Sequence, residues 1–443
     1  MIELLTAILL GLTLGLIAGF MPGIGNTLVL LIVTPFLFQW PPEVSVIFYA
    51  VCVQVGNFST TVSSINFGLL GDMTGEPALR ERISIVKNRL TTTSLKFSAI
   101  SSLVSVAIGS LILFFMLSYT STSTVALRTE TRFLLISVII LFLCFWPSNK
   151  IYTNLLLLFI GAILGMIGHH EQLFNYSDVH LLTFNQTAFY SGIPMIVVLC
   201  AFLAVPSIIK LLELKEIEYQ PADSIKIAHR FPLASSIRGV AIGSFLGMIP
   251  MIGTLVSSNV AWSVERIFNK KDSLESSLAR LSSAESANNS ASITVLIPLL
   301  TIGLAIIPSE MILLSVLETK SWIPNSTNWQ LSGMAFYQWL VIAIVSTSLI
   351  SYLICYTFVR RITNLIIRHF KAISYVAILT IAVSIAYSGY NVANMTFYLL
   401  IFVALSVIVI INRRIDYMPV VAGYLLIDEL LNSARVVFNL YIN

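Results

Sequence analysis

Residues 15–28 read GLIAGFMPGIGNTL, and residues 243–256 read GSFLGMIPMIGTLV. Gly15, Gly19, Pro22 and Gly25 fall on Gly243, Gly247, Pro250 and Gly253 at a constant offset of 228. That offset is about half of the 443-residue chain, and 22 glycines and 15 prolines are too few to give four matches in register by composition. The chain therefore reads as a duplication. Within each copy Pro and Gly interrupt an apolar stretch, which predicts a helix that stops and restarts.

The surroundings of these motifs are those of a membrane protein. Hydrophobic residues are 57% and charged ones 10%, against a soluble norm of roughly 45–50% and about 25%. With 25 basic and 21 acidic side chains, a water-soluble globule of this length could not cover its surface. A soluble enzyme, a disordered chain and a disulfide scaffold are excluded. The apolar blocks are unbroken, which argues against a barrel with its alternating strands. A net charge of +4 implies no nucleic-acid partner. Cys52, Cys144, Cys200 and Cys355 stand singly in or beside apolar stretches and read as packing residues. The opening MIELLTAILL reads as a retained first helix.

A spanning helix takes about 20 apolar residues. Candidates are 2–20, 44–70, 96–118, 132–147, 151–168, 189–212, 334–359, 372–388 and 394–412. Residues 21–39, 233–264 and 284–317 are punctuated by Gly, Pro, Ser, Thr and Asn and predict broken or short helices. Residues 72–92, 213–232, 265–283 and 318–331 read as polar loops. The longest charged stretch, 213–232, is the expected cytoplasmic linker between a first repeat at 1–212 and a second at 233–443. Arg80, Arg82, Lys87 and Arg89 follow the second apolar piece of the first repeat, whereas Arg266, Lys270, Lys271 and Arg280 precede its counterpart. Equivalent connections carry opposite charge bias, so the positive-inside rule orients the halves oppositely. The expected fold is an all-α polytopic protein of two inverted-topology repeats with broken helices and short half-helices, an architecture of secondary transporters.

The interruptions are the first candidate chemistry. Pro22, Gly23 and Gly25 let backbone approach a ligand, and a helix restarting after them offers free N–H groups to an anion. Asn26 and Thr27 add side-chain donors, and Pro250, Gly253 and Thr254 repeat the arrangement. The competing reading is that these Gly and Pro residues serve only close helix crossing. The second candidate is a pair of small-polar stretches, GNFSTTVSSINFG at 56–68 and AESANNSASIT at 284–294. Thr60, Thr61, Ser63, Ser64, Asn288 and Asn289 are candidates for binding an anionic substrate, and Asn57, Asn66, Glu285, Ser290 and Ser292 for a coupling Na⁺ or H⁺. Glu285 stands out as an ionisable group opening an apolar stretch. The offset of 228 sets Asn57 against Glu285 and Thr60 against Asn288. His169, His170 and Glu171 read as an exposed interfacial loop, and Arg360, Arg361, Arg368 and Lys371 as a cytoplasmic flank. No nucleophile–base pair, P-loop or dinucleotide fingerprint is present, so neither catalysis nor a cofactor is expected.

The string SAESANNSASITVLIPLLTIG at 283–303 resembles the Asn-Asn signature of the TctA-type large membrane subunit of tripartite tricarboxylate transporters, through Glu285, Asn288, Asn289, Pro298 and Gly303. GLIAGFMPGIGNTL is similar to that family's first Pro-Gly motif, and YMPVVAGYLLIDELL to its closing helix. A second Pro-Gly, expected in each half, is replaced here by Leu70-Gly71 and Ala305-Ile306. The resemblance implies a multi-pass permease of the bacterial inner membrane that takes up small tri- or dicarboxylates with a cation or proton. It also implies a small membrane subunit and a periplasmic or extracellular solute-binding protein as partners. Homo-oligomers are left open. The alternatives are a passive channel, or a scaffold or lipid-handling protein that kept the fold and lost the solute site.

Overall fold

The computed structural model describes residues 2–20, 25–67, 73–88, 90–122, 129–145, 149–168, 182–183, 189–190, 192–206, 209, 230–249, 253–269, 273–303, 305, 307–320, 322, 326–387, 392–413 and 415–442. Pro22, Gly23, Pro250, the Leu70-Gly71 position, the His169–Glu171 cluster and all but the last three residues of the 213–232 linker lie outside these residues.

Among the described residues there is no strand. Helices run α1 (Ile2–Phe20), α2 (Gly25–Leu37), α3 (Pro42–Phe67), α4 (Glu76–Lys87), α5 (Thr91–Thr122), α6 (Thr129–Cys144), α7 (Ile151–Met166) and α8 (Met195–Ala204). The second half gives α9 (Leu233–Gly247), α10 (Gly253–Phe268), α11 (Leu274–Thr294), α12 (Leu296–Ile302), α13 (Pro308–Thr319), α14 (Ser326–Tyr387), α15 (Val392–Ile411) and α16 (Met418–Ile442). Five of these contain stretches long and apolar enough to cross a membrane: Ile2–Phe20, Pro42–Asn66, Thr91–Tyr119, Met334–Cys355 and Asn394–Ile411. The chain is a helical membrane protein. It divides into two compact units, Met1–Val125 with Leu211–Ile373, and Ala126–Lys210 with Ser374–Asn443. Each unit thus takes one segment from the first half of the sequence and one from the second.

In the larger unit, glycine sets the helix contacts. A methyl added at Gly11, Gly15 or Gly19 would crowd the backbone carbonyls of Phe48, Cys52 and Gly56, and one at Gly239, Gly243 or Gly247 those of Ser283, Ala287 and Ala291. Both series ascend together, so α1 runs parallel to α3, and α9 to α11, at separations only glycine permits. A return helix, α2 or α10, completes each three-helix module. α1 stops at Phe20 and α2 restarts at Gly25, while α9 stops at Gly247 and α10 restarts at Gly253, so each hairpin tip coincides with a Pro/Gly interruption.

The contacts revise the register of the duplication. The first helices match at an offset of 228, but their partners on the long helices match at 235. The extra seven residues are two helical turns, or about 10 Å, and so preserve the face while shifting the level. Part of the difference is the return helix, 13 residues in α2 against 16 in α10. Gln54 therefore aligns with Asn289, Asn57 with Ser292, and Glu285 with Ala50. α3 and α11 run antiparallel, because Thr61 meets Glu285 while Gln54, seven residues earlier, meets Ser292.

Residues 284–317, expected as broken or short helices, begin inside the continuous helix α11 and go on as the short helices α12 and α13. Every residue of α11 from Ser276 to Thr294 is buried. Ser273 caps its start, accepting from the Ser276 N–H at 3.2 Å. Its hydroxyls do not break it, because they bond back to carbonyls of the same helix: Ser290 to Ala287, Ser292 to Asn289 and Thr294 to Ser290. α11 passes into α12 at Val295, whose backbone stays right-handed helical, and α12 closes on Gly303 in the left-handed region at φ 68°.

Two expected loops are also helical. Much of 72–92 forms α4, which turns Ala78, Glu81 and Ile85 inward and leaves Arg80 and Ile83 exposed. Arg280 lies on α11 and forms a buried bidentate pair with Glu81, at 2.6 and 3.0 Å. The two basic clusters of the duplicated halves thus meet, and Trp262 joins them by donating to Glu81 at 2.8 Å. The basic flank at 360–371 interrupts the hydropathy but not the helix, since α14 continues through it for 62 residues.

In the smaller unit α7 packs on α16, where methyls at Gly161 and Gly423 would overlap the carbonyls of Val420 and Leu158. The Tyr424 hydroxyl donates to the Ile193 carbonyl at 2.6 Å.

Candidate functional site

Gly25 begins α2 at φ 57°, a backbone conformation that favours glycine over any residue with a Cβ. It turns the chain out of the first interruption and sets Asn26 against α3. The Asn26 amide donates to Asn57 Oδ1 at 3.1 Å and more weakly to the Val53 carbonyl at 3.5 Å. The side chain occupies the space that a Cβ at Gly56 would need. Thr27 is half-buried. Gly253 and Thr254 open α10 on the other side of the duplication.

Asn57 and Thr60 lie one turn apart on one face of α3. Asn57 Nδ2, Thr60 Oγ1 and Asn26 Oδ1 are buried without a protein partner, as are Asn66 Nδ2 and both amide atoms of Asn288. Asn288 is only 1% exposed. A buried donor left unmatched costs about 1–3 kcal/mol. Four donors and two acceptors are left unmatched on α2, α3 and α11, and a carboxylate supplies up to four lone-pair directions to such donors.

Beside them is a connected network centred on Glu285. Its Oε2 accepts from Thr61 at 2.5 Å, and its Oε1 from Ser102 on α5 at 2.8 Å and from the Asn289 amide at 2.8 Å. Asn289 Oδ1 accepts from Gln54 Nε2 at 2.6 Å, and Gln54 Oε1 accepts from Ser292 at 2.7 Å. Gln54 and Asn289 hold matching positions in the two modules and bond each other directly. Among the described residues, Glu285 meets hydroxyls and an amide and no cation.

The remaining expected residues divide between these arrangements and the helix frame. Ser64 bonds back to the Thr60 carbonyl at 2.9 Å. Ser290 turns toward α9, donating to Val240 and Ala287 carbonyls. Ser63 is fully buried. Two members of the network and one residue beside it were not anticipated. Gln54 carries the one amide in the apolar run IFYAVCVQV, which is a legible signal. Ser102 belongs to a helical stripe with Ser98 and Ser105. Ser348, on α14, is buried with its hydroxyl unpartnered, and nothing in its apolar run distinguishes it.

The family profile described as "Tripartite tricarboxylate transporter TctA family" matches residues 5–422. A 52.8 kDa protein from the TAR-I ttuC' 3' region of Agrobacterium vitis is 23% identical over 304 residues, which cover 66% of this chain and 59% of that protein. This chain thus spans less than two-thirds of that relative's length. No solved structure matches it.

Proposed function

The chain belongs to the tripartite tricarboxylate transporter TctA family, and on that premise we propose that it is a permease subunit carrying small carboxylates into the cell by secondary active transport. Transport is a family property, and a tripartite system implies further subunits and a binding protein in general terms. The finer reading is a multi-pass protein of the bacterial inner membrane that takes up tri- or dicarboxylates with Na⁺ or H⁺. It works with a small membrane subunit and an extracytoplasmic binding protein. Its two modules act as inverted repeats, and the antiparallel course of α3 and α11 supports that arrangement.

The observation that carries the reading is the set of unmatched buried donors beside the interrupted helices: Asn57 Nδ2, Thr60 Oγ1 and Asn288 Nδ2. An anion entering there would accept hydrogen bonds from these groups, and its charge would be offset by the coupling ion. The test is uptake of labelled mono-, di- and tricarboxylates by proteoliposomes, with the partner subunits added, for the parent and for Asn288→Ala. Accumulation of one class by the parent, and its loss in a well-folded Asn288→Ala protein, is the expected result. Equal uptake by both would remove the site, and no uptake of any class would remove the function.

A further inference from the structure

A small cavity of about 10 Å³, near the size that admits a single water, adjoins the Glu285 network. Gln54, Ser102 and Asn289 form one wall, and Ser348, Ser351 and Tyr352 of α14 form part of the opposite one. Ser102 therefore faces both the cavity and the carboxylate. Ser348 is 7% exposed, and its hydroxyl has no protein partner. Phe58, Ala99 and Leu103 make much of the wall apolar, and the unmatched Ser348 hydroxyl with Gln54 and Ser102 supplies the polar partners a single water needs.

We infer that Glu285 is a proton-loading site, reached through this cavity by way of Ser102, so that the coupling ion of the carrier is H⁺. The inference rests on the carrier reading above and names its ion. Its first support is the polarity of the network. Ser292 donates to Gln54, Gln54 to Asn289, and Asn289 to Glu285, so O–H and N–H groups converge on the carboxyl. A metal cation needs oxygen lone pairs pointing inward, whereas this shell presents hydrogens. The second is isolation from fixed charge. On α3 no ionisable residue follows Cys52, and α5 brings only Lys96, near its start, and Tyr119, near its far end. Arg280 is held by Glu81 of α4, and Glu265 of α10 by Arg238 of α9 at 2.7 Å. On α4 itself Arg80 pairs with Glu76, and Arg82 donates to the Ile65 carbonyl. The α14 wall contributes Tyr352. A proton is then the cation that neutralises Glu285 with one change in the shell, Ser102 turning from donor to acceptor while Thr61 and Asn289 keep their bonds.

The transfer balances. A proton carried by cavity water binds the Ser102 oxygen as the Ser102 O–H proton passes to Glu285 Oε1, and release reverses both steps. Because Glu285 aligns with Ala50 in the first module, the duplication supplies one such site and not two.

Infrared titration of the purified full chain in nanodiscs tests this without a substrate, so it stands or falls separately from the carrier reading. The parent should show a protonated-carboxyl band that grows as pH falls and is lost in Glu285→Gln. Replacing K⁺ by Na⁺ should leave its midpoint unmoved. Ser348→Leu and Ser102→Ala should keep the band and slow its hydrogen–deuterium exchange severalfold, which preserves the test if Glu285→Gln does not fold. A midpoint that falls with Na⁺, a band unchanged in Glu285→Gln, or unaltered exchange in both serine variants overturns the inference.

Discussion

α3 and α11 fill matching places in their modules, yet they differ where it matters for chemistry. Both offer small residues to a glycine-lined neighbour, and both turn an amide toward the other, Gln54 from α3 and Asn289 from α11. One turn before Asn289, however, α11 carries Glu285, and the matching position of α3 is Ala50. The packing frame recurs in both modules and the carboxyl does not. Packing is thus held in common, and charge handling belongs to one side.

Predictions follow from breaking each part of this pairing. The largest effect is expected at the buried ion pair that ties α4 to α11. Glu81→Ala strands Arg280 and should cost about 3–5 kcal/mol, read as a fall in melting temperature of the purified protein. Next are the glycine contacts. Gly19→Ala and Gly247→Ala each force a Cβ into a neighbouring backbone, and each should cost about 1–3 kcal/mol. Similar losses at the two sites sharpen the claim of a shared frame, and loss at one alone breaks it. Asn288→Ala should leave the melting temperature nearly unchanged and lower carboxylate uptake about tenfold or more, equivalent to about 1.4 kcal/mol. The smallest effect belongs to Glu76→Ala. Its partner Arg80 is 43% exposed, and the change should stay within about 1 kcal/mol.

The glycine pattern made the matching close contacts of α1 and α9 legible, because helices in close contact demand a missing Cβ at fixed spacing and that demand is written directly in the sequence. The level of the long helices was not legible. The extra turns enter through α10 and its connection to α11, where no Gly or Pro marks the shift, and a two-turn slip keeps every residue on the same face. Ser and Asn misled for a related reason. They mark turns in water, but inside α11 their side chains satisfy carbonyls of their own helix. Arg280 read as a loop charge because its partner, Glu81, lies 199 positions away in sequence. Glu285 was visible as an isolated acid, but its partners Ser102 and Gln54 sit on other helices and emerge only from packing.

The proposed carrier requires the two modules to be oppositely oriented in the membrane. Single cysteines at the exposed positions Lys87, Arg266, Gln39 and Thr319, placed in a cysteine-free background, can be labelled with a membrane-impermeant reagent from each side of the membrane. Lys87→Cys and Arg266→Cys should react from one face, and Gln39→Cys and Thr319→Cys from the other. Reaction of Lys87→Cys and Arg266→Cys from opposite faces would contradict it.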